Sequence, residues 1–398
     1  MKAKIKKIIM QKLHAIEGQR YDVVEAIASR GVPGFAELNY DDLKNDVLRY
    51  IETLKVAPFS YKYAASCSGP CLYGSIYAVM IEGLLGRLQE RSQSELQEWA
   101  DYLNSFQRKD DGLYYDSQLA GAAFEHQGAW NEGWGKHHLM GHMIIALARL
   151  GATPKYPLKY LEKYYNSEYL RTWMEGFDFA GNVWTVSNYF MNIYTVLQYV
   201  RDYMNEKRAG AAVDAMAEWL LKRQNSHTGM WHSQPMEQMD IYAKLNVLRA
   251  AYHFYPLFEY EGIEIPYQKE IVDFILPLQN SWGGWTVEHA NAGACEDIDA
   301  LEPLIRCAAS SPKRSEEIKS AVKRSIIWQL SSRNADRGFS FYVRAAQEYG
   351  GHPLTSSRKD ESSLFATWFR VLCLAYEMRY MGMEQSFDIG HYPGYEIK

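Results

Sequence analysis

Helical periodicity dominates the pattern of apolar and polar residues along this chain. Between His137 and Leu150, apolar residues recur every three or four positions, and the run stops at Gly151, as a helix with a glycine cap does. Alternation typical of strands is scarce, and no tight hairpin signal separates two strand patterns. The sequence therefore predicts an all-α fold. The other predicted helices cover residues 72–88, 188–203, 211–221, 243–255, 318–330 and 363–378.

A short phrase returns four times between these predicted helices. Each copy has a glutamine, a few polar residues, and then a glycine before an aromatic or other bulky apolar residue. The glycines of the last three copies are 55 and 54 residues apart. Helix pairs that repeat at this period either stack into an open solenoid or close into a ring. The copies begin at Gln107, Gln224, Gln279 and, in a looser form, Gln329.

These phrases resemble the "QW" turns of terpenoid cyclases and protein prenyltransferases, most closely in residues 224–231 and 279–285. In that superfamily the glutamine side chain bonds backbone at helix ends, and an aromatic ring stacks between neighbouring turns. The resemblance extends over roughly residues 60–380. It implies an (α/α) barrel, or toroid, built from helix-pair repeats. We expect an N-terminal helical extension over residues 1–58 and the barrel over residues 59–398.

Composition narrows the classes of function. The chain has 398 residues, 47% of them hydrophobic, which is ample for a sizeable core. A net charge of −5 gives no electrostatic reason to expect a nucleic-acid partner. The 30 Tyr, 11 Trp and 15 Phe suit a pocket for hydrocarbons, cations or sugars. Five cysteines, an odd number in a long chain, indicate reduced thiols.

The first residues are basic, with isoleucines on one helical face. This pattern predicts a helix that caps its own domain, with contact to an anionic membrane surface as the alternative. The segment lacks the features of a signal peptide, and no stretch has the length and apolarity of a membrane span. We therefore expect a cytoplasmic protein, with peripheral membrane contact through this helix left open.

The densest acidic cluster follows the third glutamine phrase and contains Asp297 and Asp299. Two carboxylates so close in a cavity of low dielectric cannot both ionise easily, so the pKa of one should rise. The alternative is that Asp299 caps a helix, with Glu302 in the capping-box position. The cluster resembles the Asp-x-Asp-Asp element of class II terpene cyclases, with Ala300 in place of the last aspartate. This resemblance implies that Asp299 is a catalytic acid, assisted by Asp297 or Cys295.

Two further groups of polar residues are candidates for a site. His138 and His142 are four apart, a spacing that can bind a metal, but no helpful carboxylate lies between them. Pocket lining by Glu132 or His138 is the preferred interpretation, and we predict neither a metal nor a cofactor. Glu361, in a loop before the last helix, is expected to face the cavity with Asp299. The other predicted substrate-binding residues are Trp134, Trp184, Asn188, Trp285 and Arg370.

Three functions fit these features. The first is a class II type terpenoid cyclase that protonates a polyprenyl substrate with Asp299 in an aromatic-lined cavity. The second is a carbohydrate-active (α/α) barrel, a glycoside hydrolase, lyase or epimerase that uses paired carboxylates. The third is a non-catalytic barrel that binds a glycan or a partner. The aspartate-rich motif that binds a diphosphate through magnesium is absent, so ionisation-initiated terpene synthesis is not expected.

Overall fold

The computed structural model of the protein describes residues 2–119, 134–181 and 183–397. Helices make up most of this part of the chain, which confirms the all-α prediction. Extended structure is limited to two short antiparallel ladders. One pairs β1 (Lys55–Ala57) with β2 (Ser60–Tyr61), and the other pairs β3 (Gln347–Glu348) with β4 (Ser356–Ser357).

The α-helices of the described residues are numbered in chain order. They are α1 (Lys2–Ala26), α2 (Val32–Ala36), α3 (Tyr40–Leu54), α4 (Leu72–Leu84), α5 (Gln93–Asn104), α6 (Trp134–Arg149), α7 (Ser167–Glu175), α8 (Val183–Tyr203), α9 (Arg208–Leu221), α10 (Ile241–Tyr252), α11 (Tyr255–Tyr260), α12 (Gln268–Ile275), α13 (Ala294–Arg306), α14 (Ser315–Ser331) and α15 (Leu364–Tyr380).

Glycines with positive φ end two of these helices. Gly151 follows α6 at φ +67°, in agreement with the predicted cap. Gly86, at φ +71°, follows α4, in agreement with the prediction that the helix over residues 72–88 ends near Gly86. Because only glycine adopts this conformation at little cost, it determines where each helix stops.

Six long helices pack on one another in chain order. Helix α4 contacts α6, α6 contacts α8, and the series continues through α10 and α13 to α15. The last of them, α15, contacts α4 again. Shorter or more peripheral helices pack outside this series: α5 on α4, α9 on α8, α12 on α13 and α14 on α15. Apart from Trp328 of α14, the buried apolar side chains of these helices form one continuous cluster.

The N-terminal helices join the rest of the molecule at two places. Leu43, Val47 and Tyr50 of α3 are buried in the main apolar cluster. Val23 and Ala26, at the end of α1, pack in a small second cluster that includes Trp328 and Val343. This contact is what a capping helix makes. The domain boundary near residue 58 stays a prediction.

Two smaller predictions can be compared directly with the structure. All five cysteines are free thiols, as their odd number predicts. Within the described residues, no helix is both long enough and apolar enough to cross a membrane.

Of the four glutamines that begin the copies of the repeated phrase, three make the same pair of hydrogen bonds. In each, Nε2 donates to a carbonyl of its own turn and to a carbonyl about 40 to 50 residues further along the chain. The looser fourth copy differs, because the Oε1 of Gln329 accepts from Arg370 Nη1 at 2.7 Å. The acceptors are Gly112 and Tyr156 for Gln107 (2.9 and 2.9 Å), Gly229 and Pro266 for Gln224 (2.8 and 3.3 Å), and Gly283 and Ala321 for Gln279 (2.8 and 2.9 Å).

Replacing Gln224 with alanine should lower the free energy of unfolding by about 1–3 kcal/mol, because the Pro266 carbonyl loses this donor and the Gly229 carbonyl loses one of two, the other being the Tyr255 hydroxyl. Gln234→Ala is the matched control, since its amide makes one exposed hydrogen bond, to Gln238 O. That control should change stability by less than about 0.5 kcal/mol. Denaturant unfolding of both variants measures the difference. Equal losses would contradict a specific role for the turn glutamine.

Candidate functional site

A cavity of about 570 Å³ is lined by residues from four of the six packed helices and from the segments near them, and its size is typical of small-molecule sites. Seven of its lining side chains are aromatic, and the polar groups are spread singly among them. Each of α6, α8, α13 and α15 contributes residues from its N-terminal half. The described lining residues are His138, His142, Trp184, Thr185, Asn188, His253, Cys295, Asp299, Phe341, Tyr342, Ala346, Gln347, Glu348, Tyr349, Gly350, Phe365, Phe369 and Tyr395.

Asp299 reaches the cavity from inside a helix. Helix α13 begins at Ala294, and the backbone N–H of Gly293 donates to the Glu296 carboxylate at 2.5 Å. The helix is thus already capped before Asp299. The alternative interpretation, in which Asp299 caps the helix and Glu302 completes the capping box, is wrong because both residues lie within α13.

The Asp299 carboxyl is enclosed and poorly compensated. Asp299 is only 2% exposed, and its Oδ2 has no hydrogen-bond partner in the described part of the chain. Burial raises the pKa of Asp299 well above its usual value, and the charges of Glu296 and Asp297 raise it further, while Arg249 opposes the rise. Burial is the largest of these causes, so the protonated acid is favoured mainly by the cavity itself rather than by a neighbouring carboxylate.

Asp297 points away from the cavity, although it is only two residues from Asp299. Its carboxylate forms a fully buried ion pair with Arg370 and accepts from Trp328 Nε1 at 2.8 Å and from the Trp285 backbone N–H at 3.2 Å. Burial raises the pKa of Asp297, and the Arg370 guanidinium counteracts that rise. Asp297, Trp285 and Arg370 are therefore placed behind the cavity wall, as parts of the core.

Glu361 does not line the cavity either. Its carboxylate accepts from the backbone N–H of Ser66 at 2.6 Å, from the Ser66 hydroxyl at 2.7 Å and from the Arg358 N–H at 2.7 Å. The preceding residue, Asp360, has φ +60°, so the backbone turns sharply here. Our expectation that Glu361 faces the cavity with Asp299 is wrong, because its carboxylate is hydrogen-bonded to the segment around Ser66 and to its own loop at Arg358.

The structure brings four of the predicted site residues together around the cavity: His138, Trp184, Asn188 and Asp299. Glu132 lies outside the described residues. The side chain of Trp134, the first residue of α6, also lies outside the description.

Both ring nitrogens of His138 are engaged by tyrosines. Its Nδ1 is 2.8 Å from the Tyr73 hydroxyl, and its Nε2 is 2.7 Å from the Tyr349 hydroxyl. Burial lowers the pKa of His138 well below its usual value, and His142 lowers it further. A neutral imidazole between two hydroxyls accepts from one and donates to the other. Within the described residues, no three His, Cys, Asp or Glu side chains are arranged to hold a metal ion.

His142 presents a bare acceptor nitrogen. Its Nδ1 is 2.9 Å from the His138 carbonyl, which can only accept, so Nδ1 carries the proton. The opposite nitrogen, Nε2, therefore has a lone pair, and it is buried with no partner among the described residues. Burial lowers the pKa of His142 to about 4, so the ring is neutral at physiological pH.

His253 has the same tautomer for a different reason. The Ser187 hydroxyl donates its only proton to the Trp184 carbonyl at 2.9 Å, so it accepts from His253 Nδ1 at 2.8 Å. Among the described residues, the lone pair of Nε2 is met only by Asn188 Nδ2, at a long 3.5 Å. Burial lowers the pKa of His253 to about 3. The cavity thus contains two neutral imidazoles that present acceptor nitrogens.

Sequence reasoning missed Tyr395, which follows the last helix by some fifteen residues. The neighbouring Glu396 is fully buried, accepts from Arg149 Nε at 2.7 Å and from Trp368 Nε1 at 3.0 Å, and so anchors the segment. This anchor holds the Tyr395 ring stacked on His142, with the ring centroids 5.1 Å apart. The local signal was the Pro393-Gly394 pair between Tyr392 and Tyr395, which is typical of a turn, and Gly394 indeed has φ +114°.

Sequence reasoning also missed His253 and Tyr349 as lining residues. His253 lies in the otherwise apolar last turn of the predicted 243–255 helix, and a single polar residue in such a run is a usable signal. Tyr349 lies in a loop, and nothing in its local sequence distinguishes it from the other tyrosines of the chain.

Glu377, on α15, provides a test of burial at a carboxyl that does not line the cavity. Burial raises the pKa of Glu377 to about 8. The folded state then binds more protons than the unfolded chain between pH 4.5 and 8, so stability falls as pH rises through this range. Between pH 5.5 and 7.5, the free energy of unfolding should therefore decrease by about 2–3 kcal/mol less in Glu377→Gln than in the wild-type protein. Denaturant unfolding at several pH values measures it, and parallel curves for both proteins would contradict it.

No protein-family model matches the chain, and no curated protein shows significant similarity to it. Its function is therefore inferred from the cavity and the helices around it.

Proposed function

We propose that the protein is an acid-initiated isoprenoid cyclase or isomerase, of the class II terpenoid cyclase type, built on a closed (α/α) toroid. One observation carries the proposal. Asp299 is a buried carboxyl that faces an aromatic cavity without a hydrogen-bond partner at Oδ2 among the described residues, while its neighbour Asp297 is occupied by Arg370. An acid that must protonate a carbon needs this kind of group, a buried carboxyl without a compensating charge.

Two features of the fold support the toroid and the resemblance to terpenoid cyclases. The contacts of the six long helices run in chain order and return from α15 to α4, as the inner helices of a closed ring would. The glutamines of three turns bond both their own turn and a later segment, as the "QW" turns of that superfamily do.

The chemistry requires no co-reactant. Asp299 donates its proton to one carbon of a terminal double bond, whose π electrons form the new C–H bond and leave a cation on the other carbon. A second double bond attacks that cation and forms a ring C–C bond, while rings such as Phe365 and Phe369 stabilise the moving charge. The His253 Nε2 lone pair accepts the last proton, which restores a double bond. Product and substrate are isomers, and Asp299 regains a proton from His253 or water.

A carbohydrate-active enzyme is the second candidate, because Glu348 also lines the cavity and could serve as a second carboxylate beside Asp299. The two candidates differ in what the aromatic rings would contact, a hydrocarbon chain or the faces of sugar rings.

The test is incubation of the purified protein with squalene, geranylgeranyl diphosphate, geranylgeraniol and a mixture of oligosaccharides. The proposal predicts a product with the same mass as an isoprenoid substrate and with either fewer double bonds, after ring closure, or a shifted double bond, detected by mass spectrometry and NMR. Cleavage or epimerisation of an oligosaccharide, with every isoprenoid unchanged, would favour the second candidate and overturn the first.

A further inference from the structure

The described lining of the cavity contains no cationic side chain that would neutralise a phosphate group. It contains no lysine or arginine, and residues 120–133, outside that description, contain none in their sequence. Arg249 packs over the Trp184 ring, 5.2 Å from its centroid, but its guanidinium is paired with Glu296 at 2.7 Å. A diphosphate placed here would lose its hydration without gaining a counter-charge.

Two of the helix ends at the cavity, those of α13 and α15, do not replace the missing cations. At the start of α13 the Glu296 carboxylate already accepts from the Gly293 N–H. At the start of α15 the Ser363 side chain accepts from the Ala366 N–H at 3.2 Å. The amide groups that would bind an anion at these two ends are therefore partly satisfied by the chain itself.

One ring nitrogen of the cavity lining has no partner among the described residues and can only accept. His142 Nε2 is buried in a cage of aromatic rings, with Tyr395 stacked at 5.1 Å and Tyr77 edge-on at 5.5 Å between centroids. Because Nδ1 is committed to the His138 carbonyl, Nε2 can bond only to a group that brings its own hydrogen. A hydrocarbon would leave this acceptor unsatisfied, at a cost comparable to a lost hydrogen bond.

We propose that the ligand of this cavity is an uncharged isoprenoid alcohol, whose hydroxyl donates to His142 Nε2 while its hydrocarbon chain packs on the aromatic rings. This inference rests on the proposed function for the isoprenoid class, and it adds the head group. The hydroxyl is a binding group here and does not enter the acid-initiated chemistry at Asp299.

Binding to the full-length protein, followed by tryptophan fluorescence without turnover, tests the head group. The probes are geranylgeraniol, its methyl ether, the hydrocarbon of equal length, geranylgeranyl diphosphate and an oligosaccharide. The ether keeps the oxygen but cannot donate. We expect the alcohol to bind about 10-fold more tightly than the ether, the hydrocarbon or the diphosphate, the effect of one buried hydrogen bond.

The protein-side test is His142→Phe, which keeps a ring in the aromatic cage but removes the acceptor. Alcohol and ether should then bind within about 2-fold of each other. His391→Phe is the control, because that ring stacks on Tyr260 outside the cavity lining, and it should keep the difference. If His142→Phe does not fold, the ligand series on the wild-type protein decides by itself.

The outcomes separate this inference from the function on which it rests. Equal binding of alcohol and ether, or tighter binding of the diphosphate, would overturn the inference and leave the acid-initiated chemistry standing. Binding of the oligosaccharide alone, with no isoprenoid bound, would overturn both. Selective binding of the alcohol without any turnover would support the inference and contradict the proposed reaction.

Discussion

Replacing Arg370 with methionine should lower the free energy of unfolding by about 3–5 kcal/mol, the largest stability effect that we expect of a single substitution here. Both members of the Arg370–Asp297 pair are fully buried, so the variant leaves a carboxylate in the core without its counter-charge. Arg370 also donates to the carbonyls of Ala292 and Phe341, at 3.2 and 2.6 Å, and these lose their donor as well. Denaturant unfolding measures the loss.

Two controls identify the cause of that loss. Arg314→Met breaks partly exposed pairs with Asp273 and Glu317, and it should cost no more than about 1 kcal/mol. Adding Asp297→Asn to the Arg370 variant removes the unpaired charge and should restore part of the lost stability. The free energy of unfolding of the double variant can be compared with the value expected from adding the effects of the two single substitutions. If the double variant is less stable than that value, the ion pair is not the source of the stability loss.

Replacing Asp299 with asparagine should reduce turnover by about 100- to 10,000-fold, the usual contribution of a general acid. The side chain keeps its size but loses the proton that it would donate. Because Asp299 neither caps α13 nor makes an ion pair, the free energy of unfolding should change by less than about 2 kcal/mol. Product formation from the active isoprenoid, with stability measured in parallel, gives both quantities.

Glu377→Gln is the matched control for Asp299→Asn. Both are buried carboxyls on helices of the same series, and burial raises the pKa of both, but Glu377 does not line the cavity. The control variant should keep turnover within about 3-fold of the wild-type value, since it removes a buried acid without touching the ligand. Equal losses in the two variants would mean that the effect is structural, and retained turnover in Asp299→Asn would remove Asp299 from the mechanism.

The helices could be predicted from the sequence because their signals are local. Gly151 ends α6 where the periodicity stops, and α8, α9 and α14 each begin within five residues of the predicted start. The acidic cluster was harder to interpret, because its geometry depends on where α13 begins. Starting at Ala294, the helix turns about 200° between Asp297 and Asp299, so the two carboxylates point to opposite sides.

Other parts of the site depend on contacts between distant segments. Arg370 meets Asp297 across 73 residues of sequence, and Arg149 meets Glu396 across 247. No local pattern in either segment specifies such a partner. Glu361 illustrates the opposite error, because a carboxylate in a polar loop looks available for chemistry until the backbone N–H groups that it binds are known.

The central claim is that Asp299 carries a proton at neutral pH and faces the cavity. Infrared difference spectroscopy of the wild-type protein against Asp299→Asn at pH 7 tests it directly, because a protonated carboxyl and a carboxylate absorb at well-separated frequencies. We predict that the variant loses one protonated carboxyl band, and that this band shifts when an isoprenoid ligand fills the cavity. Loss of a carboxylate band instead would show that Asp299 is ionised, and it would contradict the account of this residue as the acid.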